Sequence, residues 1–136
     1  MGIEPFMVGS TINGIASQRL VRRICGHCKI EYPLEKTSPF RKVLNRGDGE
    51  VILYKGKGCD ECNNTGYRGR IAIHEFLVMD DELRAAVSAG VTSAELQKIA
   101  VKNGMSTIFE DGIEKSLAGL TTLDEIHRIL YFDNLE

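Results

Sequence analysis

Apolar residues recur every fourth position at Val8, Ile12, Ala16, Leu20 and Ile24, while Ser10, Asn13, Ser17, Arg19 and Arg23 fill the intervening side. That spacing predicts a helix from Pro5 to Ile24, with Pro5 at a first-turn position where its missing N–H costs nothing. Gly9 and Gly14 weaken such a helix by about 1 kcal/mol each relative to alanine, so packing has to hold it. Farther along, Val51 to Tyr54 and Arg70 to Met79 read as strands from their β-branched content, and Phe40 to Asn45 as a short helix. The closing third is helical. Asp80 to Ala89 ends before Gly90, a capping box at Thr92-Ser93-Ala94-Glu95 opens a helix that stops near Gly104, and Ser106 to Ala118 ends at Gly119. A second capping box, Thr122-Leu123-Asp124-Glu125, opens the last helix. The expected class is α+β in three consecutive parts: a helix over 1–24, a segment of short strands over 25–79, and a helical lobe over 80–136.

The four cysteines of the chain fall into two brackets, Cys25-Gly26-His27-Cys28 and Cys59-Asp60-Glu61-Cys62, with 30 residues between them. A two-residue spacer lets both sulfurs of a bracket face one point, and two such knuckles complete the four-thiolate shell that zinc favours. The interval is longer than the roughly 15–20 residues of the commonest zinc ribbons, so the metal is expected to clamp an embedded loop as well. Two other readings compete. A redox pair would place its nucleophile at a helix N-terminus, whereas Cys25 follows the expected C-terminus of a helix, where the dipole disfavours a thiolate. Structural disulfides would need an oxidising compartment, and Met1 to Pro5 shows neither a basic nor an apolar leader region. Within its knuckle His27 reads as an exposed spacer, and His74 and Glu75 alternate onto opposite faces of a strand.

Composition sharpens this picture. With 14 glycines and 26% charged residues among 136, the apolar share left for a core is modest, and a structural metal would help. Charge is uneven: residues 1–79 hold 12 basic and 8 acidic side chains, residues 80–136 hold 5 and 11. A nucleic-acid module would more often be basic throughout, so no nucleic-acid partner is expected. A free-standing zinc ribbon that grips nucleic acid or protein through Tyr67, Arg68 and Arg70 stands as the alternative reading.

The ordered run of motifs resembles one family. Met1-Gly2-Ile3-Glu4-Pro5-Phe6, then Ala16 through Cys25, the paired C-x-x-C brackets, Thr65-Gly66-Tyr67-Arg68-Gly69-Arg70, Ile73-His74-Glu75, Asp111-Gly112 and Gly119 through Glu125 are similar to the C-terminal portion of the type II secretion and type IV pilus assembly ATPases, the GspE/PilB family. The resemblance implies a piece of a hexameric motor, cytoplasmic and peripherally associated with the inner membrane, that works on a membrane platform protein. It also implies that ATP and magnesium are cofactors of the parent protein only. The P-loop, Asp box, Walker B and His box of the family lie upstream of the segment matched by Met1, so no catalytic residue is expected here. Gly56-Lys57-Gly58-Cys59 lacks the P-loop frame and its metal-binding hydroxyl. Expected site residues are the metal ligands Cys25, Cys28, Cys59 and Cys62, with Arg19, Arg22 and Arg23 as candidates for inter-subunit or phosphate contacts because arginine forks suit phosphate. The first helix, taken as part of a missing nucleotide-binding domain, would leave an apolar stripe exposed and drive self-association.

Overall fold

The computed structural model describes residues 11–44 and 49–130. In chain order these form β1 (Gly14–Ile24), β2 (Lys29–Pro33), α1 (Phe40–Leu44), β3 (Ile52–Gly56), a single 3-10 turn (Asp60–Cys62), β4 (Tyr67–Val78), α2 (Asp81–Ser88), α3 (Ser93–Lys102), α4 (Ile108–Leu117) and α5 (Leu123–Leu130). The fold is α+β, as the residue pattern implies. β1 pairs with β4, and β2 pairs antiparallel with β3. The first pair is antiparallel too, since Met79 donates to the Asn13 carbonyl at one end and Cys25 to the Gly66 carbonyl at the other, each at 3.0 Å.

One expectation fails. From Gly14 onward the predicted helix is strand β1; residues 5 to 10 lie outside the described residues. A four-residue spacing is also a multiple of two, so Ala16, Leu20 and Ile24 share a face in a strand as well as in a helix. With propensity lowered by Gly14, the hydrogen-bonding partner offered by β4 decides the outcome. Among the described residues burial does not follow a helical stripe: Val21 and Ile24 are buried while Leu20 is 48% exposed. Self-association through that stripe is therefore no longer expected.

The chain divides into two compact units: the described parts of Met1–Gln18 with His74–Ile108, and of Arg19–Ile73 with Phe109–Glu136. Neither is a consecutive stretch, because strand partners far apart in sequence must meet. In the first unit α2 and α3 bury Leu83 and Ala100. Asp80, expected as the first helical residue, instead caps α2 by accepting the Leu83 N–H at 2.8 Å, and Thr92 caps α3 by accepting the Glu95 N–H at 3.2 Å, the Thr92 half of the expected capping box. The second unit holds a core of Leu34, Leu44, Val51, Leu53 and Leu123, with Tyr32, Phe40, Ile113 and Leu117 packed against it. α4 and α5 approach closely at Gly112, where a β-carbon would sit 2.9 Å from Cδ1 of Ile126. No helix among the described residues is long and apolar enough to cross a membrane.

Backbone also crowds backbone in this unit. A β-carbon on Gly56 would run into the carbonyl of Gly66, which itself accepts the Cys25 N–H. Gly56→Ala should therefore cost about 2–3 kcal/mol through overpacking, read as a lowered midpoint in denaturant. Gly26→Ala, whose β-carbon meets nothing within 4 Å, is the control and should stay within about 0.5 kcal/mol.

Candidate metal centre

Within the interval between the cysteine brackets, β2 and β3 pair as an antiparallel ladder whose base lies at the knuckles. β2 leaves Cys28 and β3 returns toward Cys59, in a register that sets Lys29 opposite Gly56 and Pro33 opposite Ile52. Just beyond the ladder Lys57 donates to the Cys28 carbonyl at 3.0 Å. β2, for which the residue pattern predicts no strand, is thus the element that brings the brackets together. Cys25 enters from the end of β1, held by its own N–H to Gly66 and by the Ile24 N–H to the Leu120 carbonyl at 3.0 Å. Because β1 is a strand, no helix C-terminus precedes Cys25 to disfavour its thiolate, and the sulfur geometry is what bears on redox chemistry.

All four Sγ atoms lie within 4.8 Å of one another. Cys25 to Cys59 and Cys28 to Cys62 are each 3.8 Å, and Cys59 to Cys62 is 3.7 Å. A tetrahedron with zinc–sulfur bonds of about 2.3 Å has an edge of about 3.8 Å, so three of the six sulfur pairs already stand at the separation that a four-coordinate zinc requires and the rest lie within 4.8 Å. A disulfide needs about 2.05 Å, and all four cysteines are free. Backbone donors face the sulfurs: Gly58 N–H reaches Cys28 Sγ, and Cys59 and Gly66 N–H groups reach Cys62 Sγ, each at 3.3 Å. Burial acts to raise the Cys62 thiol, but the amide donors from Cys59 and Gly66 and the neighbouring thiols outweigh it and hold its pKa at about 6. Burial dominates at Cys59, pushing it up to about 11, and raises Cys28 as well. One sulfur is thus inclined to ionise at neutral pH, and a cation would draw out the rest.

Asn63 and Asn64 at φ 54° and 61° supply the left-handed turn that follows the second bracket, a region that asparagine tolerates better than other non-glycine residues. Thr65 locks this turn, its hydroxyl donating to the Cys62 carbonyl at 2.6 Å. His27 is exposed, as expected of a spacer. His74 is exposed and Glu75 half-buried, in keeping with alternation along β4.

The candidate arginines separate. Arg19 and Arg23 are exposed, whereas the Arg22 guanidinium is committed to the fold. Its Nη2 donates to Oε1 of Glu125 at 2.9 Å and its backbone N–H to Oε2 at 2.8 Å. Arg128 donates to the same carboxylate from Nε at 2.8 Å and Nη2 at 3.1 Å. The Arg22 guanidinium also lies 4.2 Å above the Tyr67 ring, whose hydroxyl bonds Thr122 at 2.7 Å. Although burial acts to raise it, these donors hold the Glu125 pKa at about 2. Sequence reasoning placed Glu125 in a capping box, and half of that is right: Thr122 accepts the Glu125 N–H at 3.1 Å. The carboxylate goes to the arginines instead. Arg128 is a local partner three positions on, but no local signal could have shown Arg22, which lies 103 positions away.

A pair of cysteine knuckles closing a β-hairpin within an α+β fold places four thiols close enough together to hold a metal ion. Residues 1–128 match the profile of the type II/IV secretion system proteins, and the chain belongs to that family. It is 48% identical over 127 residues to the type IV pilus assembly ATPase PilB of Thermus thermophilus, covering 93% of this chain and 14% of that protein. It is 38% identical over 130 residues to the type II secretion system ATPase E of Vibrio cholerae, covering 95% of this chain and 25% of the relative. PilB of Myxococcus xanthus is 40% identical over 131 residues, 93% of this chain and 23% of its own length. The chain therefore spans a quarter or less of these relatives.

Proposed function

We propose that this chain is the C-terminal portion of a hexameric ATPase that drives type IV pilus assembly or type II secretion, and that Cys25, Cys28, Cys59 and Cys62 hold one zinc ion in it. The observation that supports this reading most directly is the cluster of four sulfurs, all within 4.8 Å and three pairs at 3.7–3.8 Å, on a chain of the secretion family. Zinc bound by four thiolates is coordinatively closed, so it supplies folding energy rather than a bound water for catalysis. The residues around it act accordingly. The β2–β3 hairpin carries the two brackets, the amides of Gly58, Cys59 and Gly66 stabilise thiolate charge, and Arg22 with Glu125 fastens β1 to α5. ATP and magnesium act elsewhere in the longer protein, which would work at the inner membrane on a platform protein. This chain contributes structure and contacts to the motor, with no part in ATP hydrolysis.

Two experiments test it. Sequencing the coding region upstream of Met1 should reveal a P-loop in the same reading frame; a stop codon close upstream would sink the motor assignment. The chain by itself should show no ATP turnover, since none of its sequence forms the phosphate loop that such catalysis requires. Turnover abolished by a substitution within residues 1–136 would overturn the assignment of a purely structural role.

A further inference from the structure

Beside the first knuckle, within the second unit, lies a cleft of about 550 Å³. Arg23, His27, Lys29 and Arg68 line it together with backbone around Gly119, and no carboxylate is among its lining residues. The cations come from three places in the sequence, the end of β1, the first knuckle with the start of β2, and the start of β4, so only the fold assembles them. Lys29 is set in place on two sides. Its Nζ stands 4.7 Å over the Tyr54 ring, and a β-carbon on Gly119 would come within 2.6 Å of that nitrogen. A side chain at position 119 would push the ammonium from this position. Gly119 has φ +82°, which favours glycine for its backbone too. Arg68 makes one salt bridge, to Glu61 at 3.2 Å, with both side chains more than half exposed, an interaction of the strength that a better anion displaces.

We infer that this cleft binds a small phosphate-bearing anion, held by the Arg23 and Arg68 guanidinium groups and the Lys29 ammonium. Guanidinium forks match phosphate oxygens two at a time, and a concave cationic site strengthens the local field beyond that of scattered surface charges. The volume is that of a small-molecule site rather than of a protein interface. The phosphate can belong to a free polyphosphate or to a lipid headgroup, and the test distinguishes them.

The metal-loaded 136-residue chain is titrated with inorganic pyrophosphate at constant ionic strength and followed by calorimetry, and is separately floated with vesicles of phosphatidylcholine alone or with phosphatidylglycerol. Pyrophosphate binding with a Kd of about 0.1 mM or below identifies a free anion. Flotation with the phosphatidylglycerol vesicles only, without pyrophosphate binding, identifies a headgroup. In either case Arg23→Gln and Lys29→Gln should each weaken binding roughly fivefold, the worth of one partly exposed charge contact, with zinc content unchanged. Gly119→Ala should weaken it as well by displacing Lys29. If neither probe binds, or if the glutamine variants bind as well as the parent, the inference is wrong. If those variants lose zinc instead, the cations serve only to offset the thiolate charge, and that also overturns it.

Discussion

Cys59→Ser protein should emerge from chelator-free purification without zinc, whereas the parent chain should carry about one zinc per molecule. Metal at such a site contributes folding free energy, apparent values being about 10–16 kcal/mol in zinc-finger peptides. That is as large as the whole net stability of an ordinary domain, about 5–15 kcal/mol. The structure indicates where the loss falls. Removing one sulfur leaves the β2–β3 hairpin without the tie at its base, so the ladder from Lys29 to Pro33 against Ile52 to Gly56 and the core residues Leu34, Val51 and Leu53 beside it should lose order together. Amide hydrogen exchange should show protection in that hairpin collapsing in the variant, while α2 and α3, which bury Leu83 and Ala100 in the other unit, keep theirs. Elemental analysis finding no zinc in the parent chain would remove the metal assignment, and a Cys59→Ser variant as stable as the parent would remove its structural role.

Glu125→Ala should lower stability by about 2–3 kcal/mol, below the roughly 3–5 of a fully buried broken pair because Arg22 and Arg128 are about half exposed and can return to water. For a chain of this size that corresponds to a melting midpoint lower by roughly 8–12 °C. Acid dependence supplies the second signature. The Glu125 carboxyl has its pKa depressed from 4.5 to about 2, so it contributes stability that is fully present above pH 4.5 and is lost as pH falls from there toward 2. The gap between parent and variant should therefore be constant from about pH 5 to 7 and close below pH 4.5. Because both proteins protonate their cysteines alike, the gap isolates this carboxylate. A gap that does not change with pH would mean that the Ala variant loses packing rather than an ion pair. Glu125→Gln, which keeps an acceptor for the Arg22 N–H, should fall between the two.

The helical third of the chain was written locally. Thr92 caps the helix that its spacing announces, Asp80 stands one position before the helix expected to begin with it, and Gly90, Gly104 and Gly119 end or follow helices at positive φ. Such signals act over one turn, so a single sequence contains them in full. The cysteine centre was legible for a related reason, since the two-residue spacer fixes each bracket without reference to the rest of the fold. What the spacing could not show was how the brackets find each other.

The sequence by itself therefore determined the α+β class, the capped helices and the identity of the four sulfurs, because each depends on residues within a few positions of one another. Tertiary structure decided β1. Its apolar spacing fits period two as well as period 3.6 at Ala16, Leu20 and Ile24, and backbone pairing with β4, more than forty residues away in the chain, selected the strand. It decided the fate of Arg22 in the same way. A surface arginine by every local criterion closes on Glu125 and Tyr67 because the fold brings β1, β4 and α5 to one place, and the free energy of a buried carboxylate is set by whichever donors arrive there.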